Sequence, residues 1–279
     1  METNKGQFAV VTFATGKEYQ KNFSKTFRPS LERYAQKINK EFIVIGDFIR
    51  PSSKHTFWQR LLMFENPEIA KYDKVLMVDA DIYITKHAKN IFDAVGDKPW
   101  GIAPNNAYNL PEYAITDLYY YNDCPKENRP AFACNCGMYV ISRSYQEDLA
   151  KVYEEYSEKE SRGYESGPLN YFLLNENRGI ILSSEFNTLV SMYIKKYGHS
   201  LSSILKMYDD NSFLHFAASK WRSVFYFIKW LDTTESTTAK KIVRFFGKKD
   251  FDPITSVVFS LAQRAVGIYG YRIKKYFSK

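Results

Sequence analysis

Residues 74–85 read KVLMVDADIYIT, and this stretch indicates the centre of the fold. It opens with the apolar residues 75–78, a run typical of a strand that is covered on both faces. Asp79 and Asp81 interrupt the apolar character, and burying a carboxylate without a partner is costly. In an extended chain these two side chains point the same way, beyond the carboxyl end of the strand, where open α/β sheets bind ligands. Paired carboxylates at that place predict a divalent metal, magnesium or manganese, and with it a diphosphate.

The composition is that of a soluble globular protein, with 45% apolar and 25% charged residues. Its 279 residues allow one large α/β domain or two small ones. Three cysteines are too few for a disulfide scaffold, the first residues lack the pattern of a signal peptide, and no apolar run is long enough to span a membrane. We therefore expect a cytoplasmic protein, either free or attached to a cytosolic membrane face.

The net charge of +8 is concentrated at one end of the chain. From residue 220 onward there are 13 Lys and Arg residues against 4 Asp and Glu residues, whereas the first 219 residues have 26 against 27. The neutral body offers no basic groove for a nucleic acid. The basic, aromatic end is predicted to be helical and suits an anionic membrane surface, or else it packs on the domain with a solvated basic face. The chain thus divides into a main domain, residues 1–220, and a helical extension, residues 221–279.

Strands and helices alternate along the first third of the chain. Residues 8–13 and 42–45 are further β-rich runs, and apolar residues at helical spacing predict helices over 18–39 and 55–72. This order predicts an α/β fold with a mostly parallel, doubly wound central sheet flanked by helices.

Polar residues, small residues and glycines occur where these strands end or begin. Thr12 and Ala14 end the first strand, where a nucleotide base and ribose could lie, although an ordinary βα loop is an equal alternative. Arg60, on the second helix, could reach a phosphate or a sugar hydroxyl, or form an ion pair. Asn135 and Gly137 head a later strand, where Gly permits close backbone approach and Asn can both donate and accept hydrogen bonds.

Two late segments complete the set of candidates. His215 and Lys220 lie in SFLHFAASKWR, residues 212–222. A neutral His nitrogen could complete a metal shell begun by two carboxylates, although an isolated His between apolar residues is by default a core residue. A lysine could neutralise a diphosphate. The long, Tyr-rich stretch 105–130 is expected to form a lid or an acceptor surface.

Together these motifs resemble the GT-A-fold glycosyltransferases of glycosyltransferase family 8, the glycogenin and lipopolysaccharide-galactosyltransferase type. The resemblance covers roughly residues 8–221. It rests on Arg60 and on the segments FAVVTFATG (8–16), VDADIYI (78–84), NCGMYVIS (135–142), PLN (168–170), FN (186–187) and HFAASKW (215–221).

The resemblance implies a nucleotide-sugar donor, usually a UDP-sugar, and a manganese ion held by the two acids and the late histidine. Asp79 would contact ribose and metal, while Asp81 and His215 would be direct ligands. Lys220 would hold the diphosphate.

The same resemblance places Asn135 and Gly137 along the donor sugar.

Two motifs depart from the family pattern. Glu165 and Ser166 stand where the family commonly has Asp-Gln, and HFAASKW is shorter by one residue than the family's His-Phe-x-Gly-x-x-Lys-Pro-Trp and lacks its Gly and Pro.

The expected reaction moves a sugar from a nucleotide sugar to a hydroxyl of a glycan or glycolipid acceptor, with retained configuration. The metal and Lys220 would stabilise the leaving diphosphate. An inverting enzyme would need a base near the acceptor, with Glu165 or Asp117 as candidates. A nucleotidyltransferase that makes nucleotide sugars is one alternative, although no Gly-rich phosphate loop follows the first strand. An inactive nucleotide-sugar-binding protein is another, which the altered pair at 165–166 would permit.

Overall fold

The computed structural model describes most of the chain. The described residues are 6–51, 55–111, 120–158, 164–217, 221–235, 237, 240, 241 and 243. Asp117, Lys220 and residues 244–279 of the predicted extension lie outside them.

The described strands are β1 (Phe8–Phe13), β2 (Glu41–Ile45), β3 (Lys74–Val78), β4 (Ile82–Ile84), β5 (Trp100–Pro104), β6 (Cys134–Ser142), β7 (Ile180–Ile181), β8 (Thr188–Leu189) and β9 (Phe213–His215). The described α-helices are α1 (Lys17–Lys25), α2 (Arg28–Lys37), α3 (Ile91–Val95), α4 (Gln146–Tyr156), α5 (Ser166–Glu176), α6 (Val190–Tyr197), α7 (Leu201–Asp210) and α8 (Arg222–Thr233). Short 3-10 helices are found at Thr56–Glu65, Arg143–Tyr145 and Ser184–Phe186.

Six strands form the central sheet, in the order β2-β1-β3-β6-β5-β7. β1 is parallel to β2 and β3, and β5 is parallel to β7, whereas β6 is antiparallel to both of its neighbours. Five strands therefore run in one direction, so the sheet is mostly parallel, as predicted. Because β6 is reversed, its first residues lie at the edge where β1 and β3 end.

The apolar residues on the two sides of Asp79 and Asp81 form two strands in two sheets. β3 belongs to the central sheet, as the run 75–78 predicted, and β4 belongs to a small sheet of order β4-β9-β8. The extended backbone assumed at the two acids was wrong because the chain turns between β3 and β4, with the Ile82 amide donating to the Asp79 carbonyl at 3.1 Å. β4 pairs antiparallel with β9, which sets Ile82 opposite His215.

Both faces of the central sheet are covered by helices, and β3 is buried throughout, as its apolar run predicted. Val75 and Met77 point into one core, and Leu76 and Val78 point into the other. The first core also contains residues of the 3-10 helix Thr56–Glu65, of α4 and of α5, and the second contains residues of α2 and α3.

Two of the predicted helices differ from the structure. The helix predicted over 18–39 is broken into α1 and α2, and Pro29 lies in the first turn of α2, where its missing N–H and fixed φ are tolerated. The helix predicted over 55–72 is a 3-10 helix that ends at Glu65. In the first segment the apolar spacing gave the right helix type but missed the break, and in the second the helix type was wrong, with residues 58–64 buried all round rather than on one face.

The first helix of the predicted extension, α8, packs into a third core with α6, α7, β4 and β9. Its Asp232 carboxylate is buried, accepts hydrogen bonds from the hydroxyls of Tyr83 (2.9 Å) and Tyr208 (2.7 Å), and pairs with Arg33. The apolar side of α8 is thus used inside the protein. Among the described helices, none combines the length and the apolar character needed to cross a membrane.

Candidate metal centre and its surroundings

The turn between β3 and β4 sets the positions of Asp79 and Asp81. The Asp79 amide donates to the Gly137 carbonyl at 2.7 Å, and the Phe216 amide donates to the Asp81 carbonyl at 3.0 Å. The backbone at Asp79 is therefore fixed to the central sheet and that at Asp81 to the small sheet. Both carboxylates lie at the edge where β3 ends, which is where a ligand was predicted.

His215, the last residue of β9, completes a cluster with these acids. Its Nε2 lies 3.2 Å from Asp81 Oδ1 and 3.9 Å from Asp79 Oδ2. One ligand atom from each of the three residues lies within 4.8 Å of the others. The structure thus brings together the three residues that were predicted as metal ligands, and His215 is buried beside two carboxylates rather than among apolar groups alone.

Asn187 fixes which nitrogen of His215 faces the acids. The Asn187 amide nitrogen donates to Asn135 O at 3.1 Å and to Asn135 Oδ1 at 3.0 Å. Its own Oδ1, 3.1 Å from His215 Nδ1, is left to accept from that ring nitrogen. In its neutral form the imidazole then has its lone pair on Nε2, toward the carboxylates, which is the arrangement that second-shell partners give to metal-binding histidines.

Asn135 and Gly137 lie directly beside this imidazole. Asn135 Oδ1 accepts from the Gly137 amide at 3.0 Å. A Cβ atom on Gly137 would lie 2.3 Å from His215 Cε1, closer than any side chain permits. The glycine is therefore required for the ring to occupy its place, which is a more specific role than the close approach to a ligand that the sequence suggested.

Arg60 holds Asp79 from the opposite side. Its Nη1 lies 2.7 Å from Asp79 Oδ1 and 3.4 Å from Glu165 Oε1, and it donates to the Cys136 carbonyl at 3.1 Å. The Arg60 and Glu165 side chains are almost fully buried, at 5% and 2% exposure. Arg60 therefore forms a buried ion pair with two acids, which was one of the two roles considered for it.

The charges in the cluster are strongly coupled. Burial raises the pKa of Asp79 to about 7, with Asp81 adding to the increase and Arg60 opposing it. Burial also raises the pKa of Glu165, and Arg60 again opposes it. For Asp81, burial is outweighed by His215, so its pKa is lowered, and the pKa of His215 is raised by the acids against the effect of burial.

The residues fit a divalent cation. Three carboxylates meet one guanidinium and one imidazole here, so the acidic groups outnumber the basic ones. Two carboxylates and an imidazole nitrogen, held by Asp79, Asp81 and His215, are a donor set suited to manganese or a similar ion. Bringing a cation between them would offset the cost of burying the acids.

Other predicted site residues are placed less directly. The side chains of Thr12 and Ala14 are fully buried, so neither is open to a nucleotide, and Thr12 Oγ1 has no hydrogen-bond partner among the described residues. Lys220 and Asp117 lie outside the described part of the chain. Their roles stay predictions.

Two residues near the site were not among the predicted site residues. Asn187 was noted only as part of an FN motif, and nothing in the sequence showed that it would meet His215. Tyr19, on α1, is half-exposed, and partial burial together with the charges of Asp81 and Asp79 raises its pKa to about 12. Tyr19 could have been predicted from its place in the chain, because it is an aromatic residue in the helix that follows the first strand and its small-residue turn.

Comparison with known proteins supports the fold. A scan against protein-family models finds no match, and neither does a search of curated proteins. Among solved structures, the chain is similar to the crystal structure of a glycosyltransferase involved in the glycosylation of the major capsid of PBCV-1, with a TM-score of 0.53 at 12% sequence identity. The match covers 79% of this chain and 98% of that one.

Identity this low shows a likeness of fold alone. The predicted α/β fold with a mostly parallel central sheet flanked by helices is confirmed, and it is shared with a glycosyltransferase. The narrower resemblance to glycosyltransferase family 8 stays a prediction.

Proposed function

We propose that this protein is a metal-dependent glycosyltransferase that moves a sugar from a nucleotide-sugar donor, a UDP-sugar, to a hydroxyl of a glycan or glycolipid. The observation that carries the proposal is the group Asp79, Asp81 and His215, whose ligand atoms lie within 4.8 Å of one another at the end of a central strand. The fold that surrounds this group is shared with a glycosyltransferase, which supports the same reaction class.

Asp79, Asp81 and His215 would hold the divalent ion, manganese or magnesium. When bound, such an ion supplies positive charge to the diphosphate leaving group. The protein prepares this arrangement by holding each ligand from outside, with Arg60 on Asp79 Oδ1 and Asn187 on His215 Nδ1.

The remaining contacts suggest where the donor lies. Tyr19, on the helix that follows β1, has its pKa raised by burial and is close enough to Asp81 and Asp79 for their charges to raise it further, so we place the nucleotide base against its ring. Asn135 and Gly137 would line the donor sugar, and Lys220 stays the predicted contact of the diphosphate. Thr12 is assigned no side-chain contact, because its side chain is buried.

Glu165 has a positioning role in this proposal. Its carboxylate is buried and faces Arg60, so it neutralises the guanidinium that orients Asp79 rather than meeting an acceptor. We therefore keep the retaining outcome, which does not require Glu165 as a base. A glycolipid acceptor would rest on the basic end of the chain beyond α8.

The first test is thermal stabilisation by a panel of nucleotide sugars, with and without Mn²⁺. For the wild type at about 100 times the dissociation constant, a ligand stabilises by about 2.7 kcal/mol, which for a domain of this size is a melting shift of several degrees. In Asp81→Ala the shift should disappear. Asp148→Ala is the matched control, since its side chain is 37% exposed against 34% for Asp81 and lies on α4.

Metal-dependent hydrolysis of the stabilising donor separates an enzyme from a binding protein, and release of pyrophosphate from a nucleoside triphosphate would indicate a nucleotidyltransferase. If no nucleotide sugar stabilises the wild type with or without Mn²⁺, the proposed function is wrong.

A further inference from the structure

Three aromatic rings lie together just beyond Arg60. The His55 ring is 4.2 Å from the Phe57 ring and 4.6 Å from the Tyr164 ring, and Phe57 and Tyr164 are 5.2 Å apart, all between centroids. The Arg60 guanidinium lies over the Phe57 ring at 4.5 Å. One guanidinium therefore separates these rings, the aromatic cluster, from the Asp79 carboxylate.

The cluster is open to solvent although it adjoins a buried site. Tyr164 is 40% exposed, His55 is exposed, and only Phe57 is partly covered. Tyr164 is one of few large aromatic or apolar side chains that are exposed among the described residues, and the rings of His55 and Phe57 adjoin it. A continuous aromatic surface beside a polar site is typical of ligand recognition.

The backbone at Tyr164 is strained in a way that serves this surface. Its φ of 50° lies in the left-handed region, which costs a non-glycine residue on the order of 1 kcal/mol. The next residue, Glu165, is buried against Arg60. The left-handed turn thus sends the Tyr164 ring outward to His55 and Phe57 while its neighbour points inward.

The position of the cluster differs from that of the donor side. Arg60 contacts Oδ1 of Asp79, whereas His215 lies near Oδ2. The aromatic cluster therefore flanks Asp79 on the Arg60 side, whereas His215 lies near the other carboxylate oxygen.

The chemistry of the cluster favours a neutral ligand with an apolar face. Burial and the charge of Arg60 lower the pKa of His55, which favours the uncharged form of its imidazole. Aromatic rings offer rigid apolar area, and the Tyr hydroxyl and imidazole nitrogens can hydrogen-bond. A pyranose ring matches this surface, because it presents C–H groups on one face and hydroxyls around its rim.

We propose that His55, Phe57 and Tyr164 form the subsite for the acceptor, seating a neutral hexopyranose ring of a glycan beside Arg60. This inference rests on the proposed glycosyl transfer, because a bound sugar is an acceptor only if the protein transfers a sugar to it. Sugar binding by the aromatic cluster can nevertheless be measured without a donor. The hydroxyl to be glycosylated would then point past Arg60 toward the metal-binding acids.

Tyr164 is the residue to change, because Phe57 also supports Arg60. Tyr164→Asn removes the ring while tolerating the left-handed backbone, which asparagine adopts more readily than other residues. Tyr164→Phe keeps the ring. Tyr197→Asn is the control, since Tyr197 is 53% exposed and lies in a separate aromatic group with Tyr108 and Tyr193.

The probes are methyl α- and β-D-glucoside, galactoside and mannoside at millimolar concentration, observed by saturation-transfer NMR on the full chain without donor. At least one glycoside should bind the wild type, Tyr164→Phe and Tyr197→Asn. It should bind Tyr164→Asn about tenfold more weakly, as expected when one stacking contact is lost. Melting temperatures of the four proteins show that the comparison is made on folded material.

The possible failures are distinct. If none of the glycosides binds the wild type, or if Tyr164→Asn binds as the wild type does, the acceptor subsite is refuted. If binding depends on the Tyr164 ring but no nucleotide sugar stabilises the protein, the sugar subsite stands and the glycosyltransferase proposal falls. If both hold, Tyr164→Asn should raise the acceptor KM about tenfold, whereas Tyr197→Asn should leave the acceptor KM unchanged.

Discussion

Asp79 and Asp81 are separated by one residue, yet the two carboxylates belong to different surroundings. Asp79 is tied to the central sheet and shares Arg60 with the buried Glu165. Asp81 is tied to the small sheet, is 34% exposed and has its Oδ1 3.2 Å from His215 Nε2. Their pKa values move in opposite directions, with that of Asp79 raised and that of Asp81 lowered.

This difference shows a division of roles inside one cluster. The Asp79 side is an internal ion-pair network, whose charges compensate one another when the protein folds. The Asp81 side leaves a carboxylate and an imidazole nitrogen available, so it is the side that a cation completes. Changes on the first side should affect stability first, and changes on the second should affect metal binding first.

The largest effect is expected from breaking the Asp79 side. Arg60→Met removes the guanidinium and leaves two carboxylates without a counter-charge in a largely buried place. Removing one partner of a buried ion pair costs about 3–5 kcal/mol, so the free energy of unfolding should fall by that amount. Denaturant unfolding of the metal-free protein measures it.

Arg50→Met provides the comparison for that variant. Arg50 also pairs with two acids, Glu65 and Glu154, but its side chain is 38% exposed. Because solvent screens such pairs, this change should cost less than about 1 kcal/mol. Equal losses in the two variants would mean that the network around Arg60 has no special role in stability.

Gly137 touches both the Asp79 side and the Asp81 side, so a methyl group at this position should disturb both. In Gly137→Ala the new Cβ would meet His215 Cε1 at 2.3 Å, while the Gly137 carbonyl still accepts from Asp79. Overpacking of a buried position costs about 1–3 kcal/mol, and the displaced ring should also weaken Mn²⁺ binding.

Gly101→Ala separates these two effects. Its Cβ would lie 2.6 Å from Val95 Cγ2 in the core, so it overpacks a place distant from the acids. This variant should have a lower free energy of unfolding, measured with denaturant, and an unchanged Mn²⁺ affinity, measured by calorimetric titration. Unchanged Mn²⁺ affinity in Gly137→Ala would show that the His215 ring is not a ligand.

The sequence was sufficient for the elements that depend on local pattern. The apolar run of β3, the β-rich runs of β1 and β2 and the strand that begins near Asn135 were all predicted, because each carries its own burial pattern. The grouping of Asp79, Asp81 and His215 was also predicted, although the argument for the two acids assumed an extended chain. They meet instead across a turn that the apolar pattern of 74–85 does not reveal.

What could not be predicted depends on partners distant in the chain. The reversed direction of β6 leaves no mark on its residues, so its pairing beside β3 was not foreseen. Arg60 is followed by Glu165 only much later, and their ion pair exists because α5 begins beside the 3-10 helix that carries Arg60. The orientation of His215 by Asn187 likewise depends on two residues that are distant in the chain and meet only in the fold.

The smallest effect is expected from Asn187, which acts on the metal side through His215 alone. Asn187→Ala removes the acceptor for His215 Nδ1, so the ring loses its fixed orientation, and Mn²⁺ affinity should fall about tenfold. Asn211→Ala is the control, since Asn211 is also buried and hydrogen-bonded, to Thr188 and to the Met207 carbonyl, but does not touch the cluster. Both variants should lose some stability, whereas only the first should bind Mn²⁺ more weakly in a calorimetric titration. Equal Mn²⁺ affinities in the two variants would show that His215 is oriented by its pairing with Asp81. Asn187 would then have no role in metal binding.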